Sequence, residues 1–153
     1  MAKMGENDYR TGARERLEEA YILLRQERFG GIIYVAGRAV EGILRAVIWK
    51  SDPEYSTGKK SLETGHGLRN LLDVVGRLGV LGDNPLRDDI GAHVQHVGRL
   101  WWNDMRFISQ NRIKSRWYQL NEIRGKRTLK VAASEFYDAC SAILKRCEVI
   151  WQS

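Results

Sequence analysis

The sequence predicts an all-α fold, an antiparallel up-and-down bundle of about five helices. Three observations carry this. Apolar residues recur at three- and four-residue steps over most of the chain. No two-residue alternation of useful length appears, so a sheet is not expected. Only two prolines occur in 153 residues, which leaves few helix breakers, and the intervening polar stretches are short.

The elements follow in order. Residues 9–29 read as an amphipathic helix with Leu17, Ala20, Tyr21 and Leu24 on one side and Arg14, Glu15, Glu18, Glu19 and Arg25 on the other. Gly30-Gly31 is expected to end it. Residues 32–50 form a more apolar helix. Ile32, Val35, Ala36, Ala39, Ile43, Ala46 and Val47 make its stripe, with Arg38, Glu41 and Arg45 opposite. A helix this apolar is normally central. Asp52-Pro53 stops it, and residues 51–61 read as a polar loop. A third helix is expected over roughly 64–79, with Leu68, Leu71, Leu72, Val75 and Leu78 inward and Gly79 at its end. Asn84-Pro85 is a start signal for a fourth, from about 85 to 105, with Leu86, Ile90, Val94, Val97 and Trp101 as its seam. Residues 106–127 show no clear period. The last helix, about 129–151, carries Ala133, Phe136, Cys140, Ile143, Leu144, Cys147 and Ile150.

At 17.6 kDa, residues 1–153 are expected to make a single domain. Hydrophobic residues make up 43% and charged residues 29%, a globular composition that excludes a disordered or fibrous chain. No apolar run reaches about 18 residues, so no membrane span is expected. The polar N-terminus does not read as a signal peptide. Cys140 and Cys147 lie seven positions apart on one helix, about 10 Å along its axis, too far for a disulfide. They read as small core hydrophobes, and the chain as cytoplasmic and reduced.

The net charge of +6 is unevenly placed. Residues 106–130 hold Arg106, Arg112, Lys114, Arg116, Arg124, Lys126, Arg127 and Lys130 against one acid, Glu122, whereas the remainder is near neutral. Phe107, Trp117 and Tyr118 are interleaved with these cations. Cations neutralise phosphates and aromatic faces stack on unpaired bases, so Arg106, Arg112, Lys114, Arg116, Trp117, Arg124, Lys126 and Arg127 are the candidate RNA-binding residues. The competing reading is a solvated segment whose aromatics pack on the bundle. Trp101, Trp102 and Trp117 would alternatively anchor a protein partner.

No phosphate-binding glycine loop, nucleophile elbow or zinc-protease motif is present. His93 and His96 lie three apart with Asp88 and Asp89 a turn before. A metal site needs three or four convergent ligands, and no third matched ligand is visible, so neither metal nor cofactor is expected. Alternatively, His96, Arg99 and Asn103 form a plain polar stripe. Glu41 and Arg45 read as an intrahelical ion pair. Arg87 and His93 have five residues between them. Arginine holds a phosphate and histidine moves a proton near neutral pH, the roles that metal-free RNA cleavage needs. Six helical steps turn about 600°, so the two side chains point about 120° apart. They would converge only on a substrate in a groove, at a two-fold dimer seam.

Four segments, in this order, resemble the HEPN superfamily (higher eukaryotes and prokaryotes nucleotide-binding domain). They are Glu27-Arg28-Phe29-Gly30, Ile33 to Ala46 with its small residues around Glu41, Gly65-His66-Gly67-Leu68-Arg69-Asn70-Leu71-Leu72, and Leu100-Trp101-Trp102-Asn103-Asp104-Met105-Arg106-Phe107. The resemblance covers about residues 12–151. It implies a helical bundle, commonly a homodimer. It also implies one of two activities: an endoribonuclease of a toxin–antitoxin or phage-defence system, using an Arg-X4-6-His motif that Arg87 and His93 satisfy, or a non-catalytic RNA- or nucleotide-binding module. A third role is a protein-interaction subunit of a larger assembly, with a nucleotidyltransferase or antitoxin as partner.

Overall fold

In a computed structural model of the chain, residues 4–57, 67–79 and 91–152 are described. Every regular element among them is helical, and the one β feature is an isolated bridge between Arg124 and Arg127.

Helix α1 (Glu6–Arg25) opens with Glu6 and Asp8 in its first turn, and the Asp8 carboxylate accepts from the Gly5 amide at 3.0 Å. Acids suit that end because the orphan amide groups there carry partial positive charge. It ends at Arg25, and Glu27 turns the chain in the left-handed region (φ 56°). Gly30-Gly31, expected to terminate α1, instead lies inside the first turn of α2 (Phe29–Ser51). The glycines serve close approach. A Cβ on Gly31 would lie 3.2 Å from Leu23, and one on Gly30 would lie 3.5 Å from the Gln110 backbone. The Gly30 amide, an orphan donor at the helix start, donates to Gln110 Oε1 at 3.2 Å.

Helix α2 is the centre of the fold, as its composition implies. It packs against α1, α4 (Leu68–Leu78) and α7 (Leu129–Glu148). Buried positions run round most of its circumference, from Ile32 and Ile33 to Val47 and Ile48. Asp52 caps both its end and the one-turn helix α3 (Pro53–Ser56), within the stretch expected to be loop. The inward face of α4 is Leu68, Leu71, Leu72 and Val75, and Gly79 closes it at φ 62°. Helix α5 (Gly91–Leu100) stops five residues before the expected end. Trp101 leaves the helix to lay its indole against Gly37, with Nε1–H donating to the Tyr34 carbonyl at 3.2 Å. The Asn84-Pro85 start signal lies outside the described residues.

Residues 106–127, expected to be irregular, contain the end of a 3₁₀ turn (Asn103–Phe107) and helix α6 (Gln110–Gln119). The Ser109 side chain caps α6 by accepting from the Arg112 amide. Only Ile113 and Trp117 are buried on α6, too few positions to show a period. The Thr128 side chain caps α7, and a 3₁₀ turn (Val149–Trp151) follows it. Cys140 and Cys147 sit in the core on α7, and burial pushes the Cys147 thiol up to about 12.

Neighbouring contacts fix two relative directions. Gly31 meets Leu23 while Gly42 meets Ala13 and Tyr9, so α1 and α2 are antiparallel. Arg10 and Arg14 pair with Glu148, Tyr21 meets Tyr137 and Glu27 pairs with Lys130, so α1 and α7 are antiparallel too. Strict alternation of five helices would run first and last in the same direction. The first and last long helices, α1 and α7, do not run that way.

Candidate nucleic-acid interface

On α6, each residue advances about 100° around the axis. Ile113 and Trp117 face inward, which puts Arg112 and Arg116 on one flank and Lys114 and Tyr118 on the other. All four flanking residues are exposed. Arg106 is exposed with its guanidinium 4.5 Å above the Phe107 ring, and Phe107 itself is 74% exposed and Tyr118 65%. Beyond α6 the chain turns through Asn121 (φ 63°) and Gly125 (φ 58°), which leaves Arg124 and Lys126 exposed at the turn. Among the described residues, Arg112, Lys114, Arg116, Arg124 and Lys126 have no carboxylate within ion-pair distance.

Two of the candidate residues are placed differently. Trp117 is 0% exposed, packs on Phe136 with ring centres 5.5 Å apart, and donates its indole N–H to the Leu100 carbonyl at 3.3 Å. Buried in this way it is a core residue and offers no face to a base. Arg127 is turned inward to acids. Its Nε donates to the Glu122 carbonyl at 2.6 Å, Nη1 reaches Glu135 at 2.8 Å, and Nη2 lies 3.5 Å from the Glu122 carboxylate. Its hydrogen bond holds the Glu135 carboxyl below the usual carboxylate range. Glu122 is buried and also pairs with Arg99, whose Nη1 donates to the Leu120 carbonyl at 3.1 Å. The chain Arg99–Glu122–Arg127–Glu135 therefore fastens α5, the 120–127 turn and α7 together. A buried carboxylate is tolerated because it is paired.

His93 is half-buried on α5. Arg87 lies outside the described residues, as do Asp88 and Asp89. His96 sits under the same network. Its ring is 6.3 Å from Phe136, and Nε2 is buried without a hydrogen-bond partner. Burial depresses its pKa below 6.5, with Glu122 and Glu135 opposing and Arg99 and Arg127 reinforcing. Among the described residues no three His, Cys, Asp or Glu side chains converge as metal ligands, and no helix is long and apolar enough to cross a membrane.

Sequence reasoning missed the acid–base network. Its partners come from three separate elements, and only the spacing of Glu122 and Arg127 is local. No family model, curated protein or solved structure matches this chain.

Proposed function

We propose that the chain is an RNA-binding helical protein of the HEPN kind that works as a homodimer and engages single-stranded RNA through the exposed side of α6 and the turns flanking it. One observation carries this reading: five cations without carboxylate partners among the described residues stand beside two largely exposed aromatic rings, Phe107 and Tyr118, on one contiguous stretch of chain. Each ring leaves apolar area in water that a stacked base would cover. Phosphates neutralise such cations, and bases stack on such rings at about 1–3 kcal/mol each. Duplex RNA would use the cations alone and leave the rings idle.

The HEPN resemblance extends the reading to metal-independent cleavage by Arg87 and His93 in a toxin–antitoxin or defence setting, and the cleavage test separates the two activities. Purified chain is incubated with single-stranded RNA in EDTA. Binding with cleavage to a 2′,3′-cyclic phosphate end, lost by roughly 10²–10⁴ in rate in His93→Ala, marks the ribonuclease. Binding without cleavage marks the non-catalytic module. Absence of salt-dependent RNA binding refutes both.

A further inference from the structure

Helices α1 and α7 lie side by side, and a groove of about 510 Å³ runs between them. Each helix gives one face to it. Leu17, Glu18 and Tyr21 recur at three- and four-residue steps on α1, and Tyr137, Ser141, Leu144 and Lys145 do so on α7. The antiparallel pairing orders them from end to end. Tyr21 and Tyr137 meet at one end, with ring centres 6.1 Å apart. Arg14 and Glu148 close the other end at 2.8 Å. From Tyr21 to Arg14 is seven residues, about 10 Å along the helix.

The polar groups of this groove are unequally satisfied. Glu148 accepts hydrogen bonds from both Arg10 and Arg14, so that end holds more positive than negative charge. Glu18 on α1 and Lys145 on α7 are exposed, and neither forms an ion pair with a described residue. Tyr137 and Ser141 are half-buried, and their hydroxyls make no hydrogen bond with a described residue. Ser141 precedes Lys145 by four residues, so these two donors share one side of the groove. Between the two closed ends, Glu18 falls across from them on α1. Leu17, Leu144 and the two tyrosine rings supply the apolar surface. The groove shares no residue with the α6 surface and stands independently of the RNA reading.

We propose that this groove binds a free α-amino acid with a large apolar side chain. The ammonium group pairs with Glu18, and the carboxylate with Lys145 and the Ser141 hydroxyl. The excess positive charge of Arg10 and Arg14 over Glu148 favours the anion on that side. The side chain lies on Leu17 and Leu144 and points toward Tyr21 and Tyr137, where an aromatic ring gains ring–ring contact. A zwitterion uses both unpaired charges at once. A simple anion leaves Glu18 facing like charge, a simple amine does the same to Lys145, and the interior of a peptide carries neither charge on its backbone. The volume falls in the ordinary range of small-molecule pockets.

Chemical-shift titration of the isotope-labelled full chain with phenylalanine tests the site. Saturable binding is expected with a Kd on the order of 0.1–1 mM, with the shifts concentrated at Leu17, Ser141 and Leu144. Phenylpropionate, which lacks the ammonium group, and phenethylamine, which lacks the carboxylate, should each bind about fivefold more weakly or worse. Glycine, a zwitterion without the side chain, should not bind. Glu18→Gln should remove the advantage of phenylalanine over phenylpropionate, and Lys145→Gln its advantage over phenethylamine. Both positions are exposed, so the circular dichroism spectrum should stay as in the parent. Absence of saturable binding, shifts centred on other elements, or charge variants that bind phenylalanine like the parent would overturn the proposal. So would N-acetyl-phenylalanine amide binding as tightly as phenylalanine, which would mark the groove as a seat for a peptide segment instead.

Discussion

The clearest separation of available charge from internally neutralised charge comes from two variants of the same basic segment. In the first, Arg112, Lys114 and Arg116 are replaced by glutamine. All three are exposed on α6 and have no carboxylate partner among the described residues. If each touches one phosphate of single-stranded RNA, each contributes about 0.7 to the slope of log K against log salt. The triple variant should therefore flatten that slope by about 2. Its stability should change little, because exposed charges away from caps and networks usually matter by less than about 0.5 kcal/mol each. In the second variant, Arg127→Gln, the pattern inverts. Arg127 lies in the Glu122–Glu135 network, so the salt slope should stay as it is while stability falls by about 1–2 kcal/mol, between the values for exposed and buried pairs. The assay is fluorescence anisotropy with a labelled oligonucleotide across a salt series, paired with thermal unfolding. An unchanged slope in the triple variant, or a slope loss confined to Arg127→Gln, would refute the assignment of the α6 cations to phosphate.

Two further predictions concern the fold. A Cβ at Gly37 would come nearer than 3.0 Å to three atoms of the Trp101 indole, so Gly37→Ala must expel Trp101 from its place beside Tyr34. Overpacking and the lost indole hydrogen bond together should cost about 2–4 kcal/mol, seen as a drop in Tm on the order of 10 °C for a chain of this size; an unshifted Tm would mean the ring has room elsewhere. The folded pKa of His96 lies below 6.5 because the ring is buried. Below pH 6.5 the unfolded chain therefore takes up a proton that the folded chain resists, and stability falls as pH drops from about 6.5 toward the depressed folded value. His96→Leu should flatten this limb of a Tm-against-pH curve, and identical limbs in the two proteins would remove His96 as its cause. The contributions of Glu135 and Glu148 belong to a lower window, since both carboxyl groups are held below the ordinary value of 4.5. For Glu148, burial pushes the value up, and the hydrogen bonds from Arg10 and Arg14 outweigh it.

The long helices were legible because their buried faces are long enough to repeat. Helix α2 buries a dozen positions and α7 nine, and in each the period of 3.6 is plain. Helix α6 buries two, and a single step of four is not a period. Its readable trace was Ser109 followed three residues later by the capped Arg112 amide, which sits in a segment otherwise dominated by charge. Gly30-Gly31 was read by the rule that glycine ends helices. The rule fails here because the residue that tolerates a turn also permits two helices to touch, and sequence alone does not distinguish these uses. Trp101 fell at a seam position of the α5 pattern, but its partner Gly37 lies 64 positions away, and that long-range fit overrides the local tendency to continue the helix.

The interface shows the same division. Counting charges along residues 106–130 treats every cation there as available, yet two are neutralised by acids outside the segment. Arg127 is paired with Glu135 on α7, and Lys130 reaches Glu27 in the turn between α1 and α2 at 2.7 Å. The single acid inside the segment, Glu122, is spent on Arg127 and on Arg99 from α5. These internal pairs do not enlarge the basic surface, but they hold the 120–127 turn against the body of the protein. Arg124 and Lys126, at the tip of that turn, are thereby presented on a backbone anchored at Glu122 and Arg127. Less entropy is lost when an anion immobilises a cation whose backbone is already fixed. If the α6 surface binds RNA as proposed, the inward-facing charges strengthen that binding without touching the ligand, so Arg127→Gln, with the salt slope intact, should still lower RNA affinity modestly at every salt concentration.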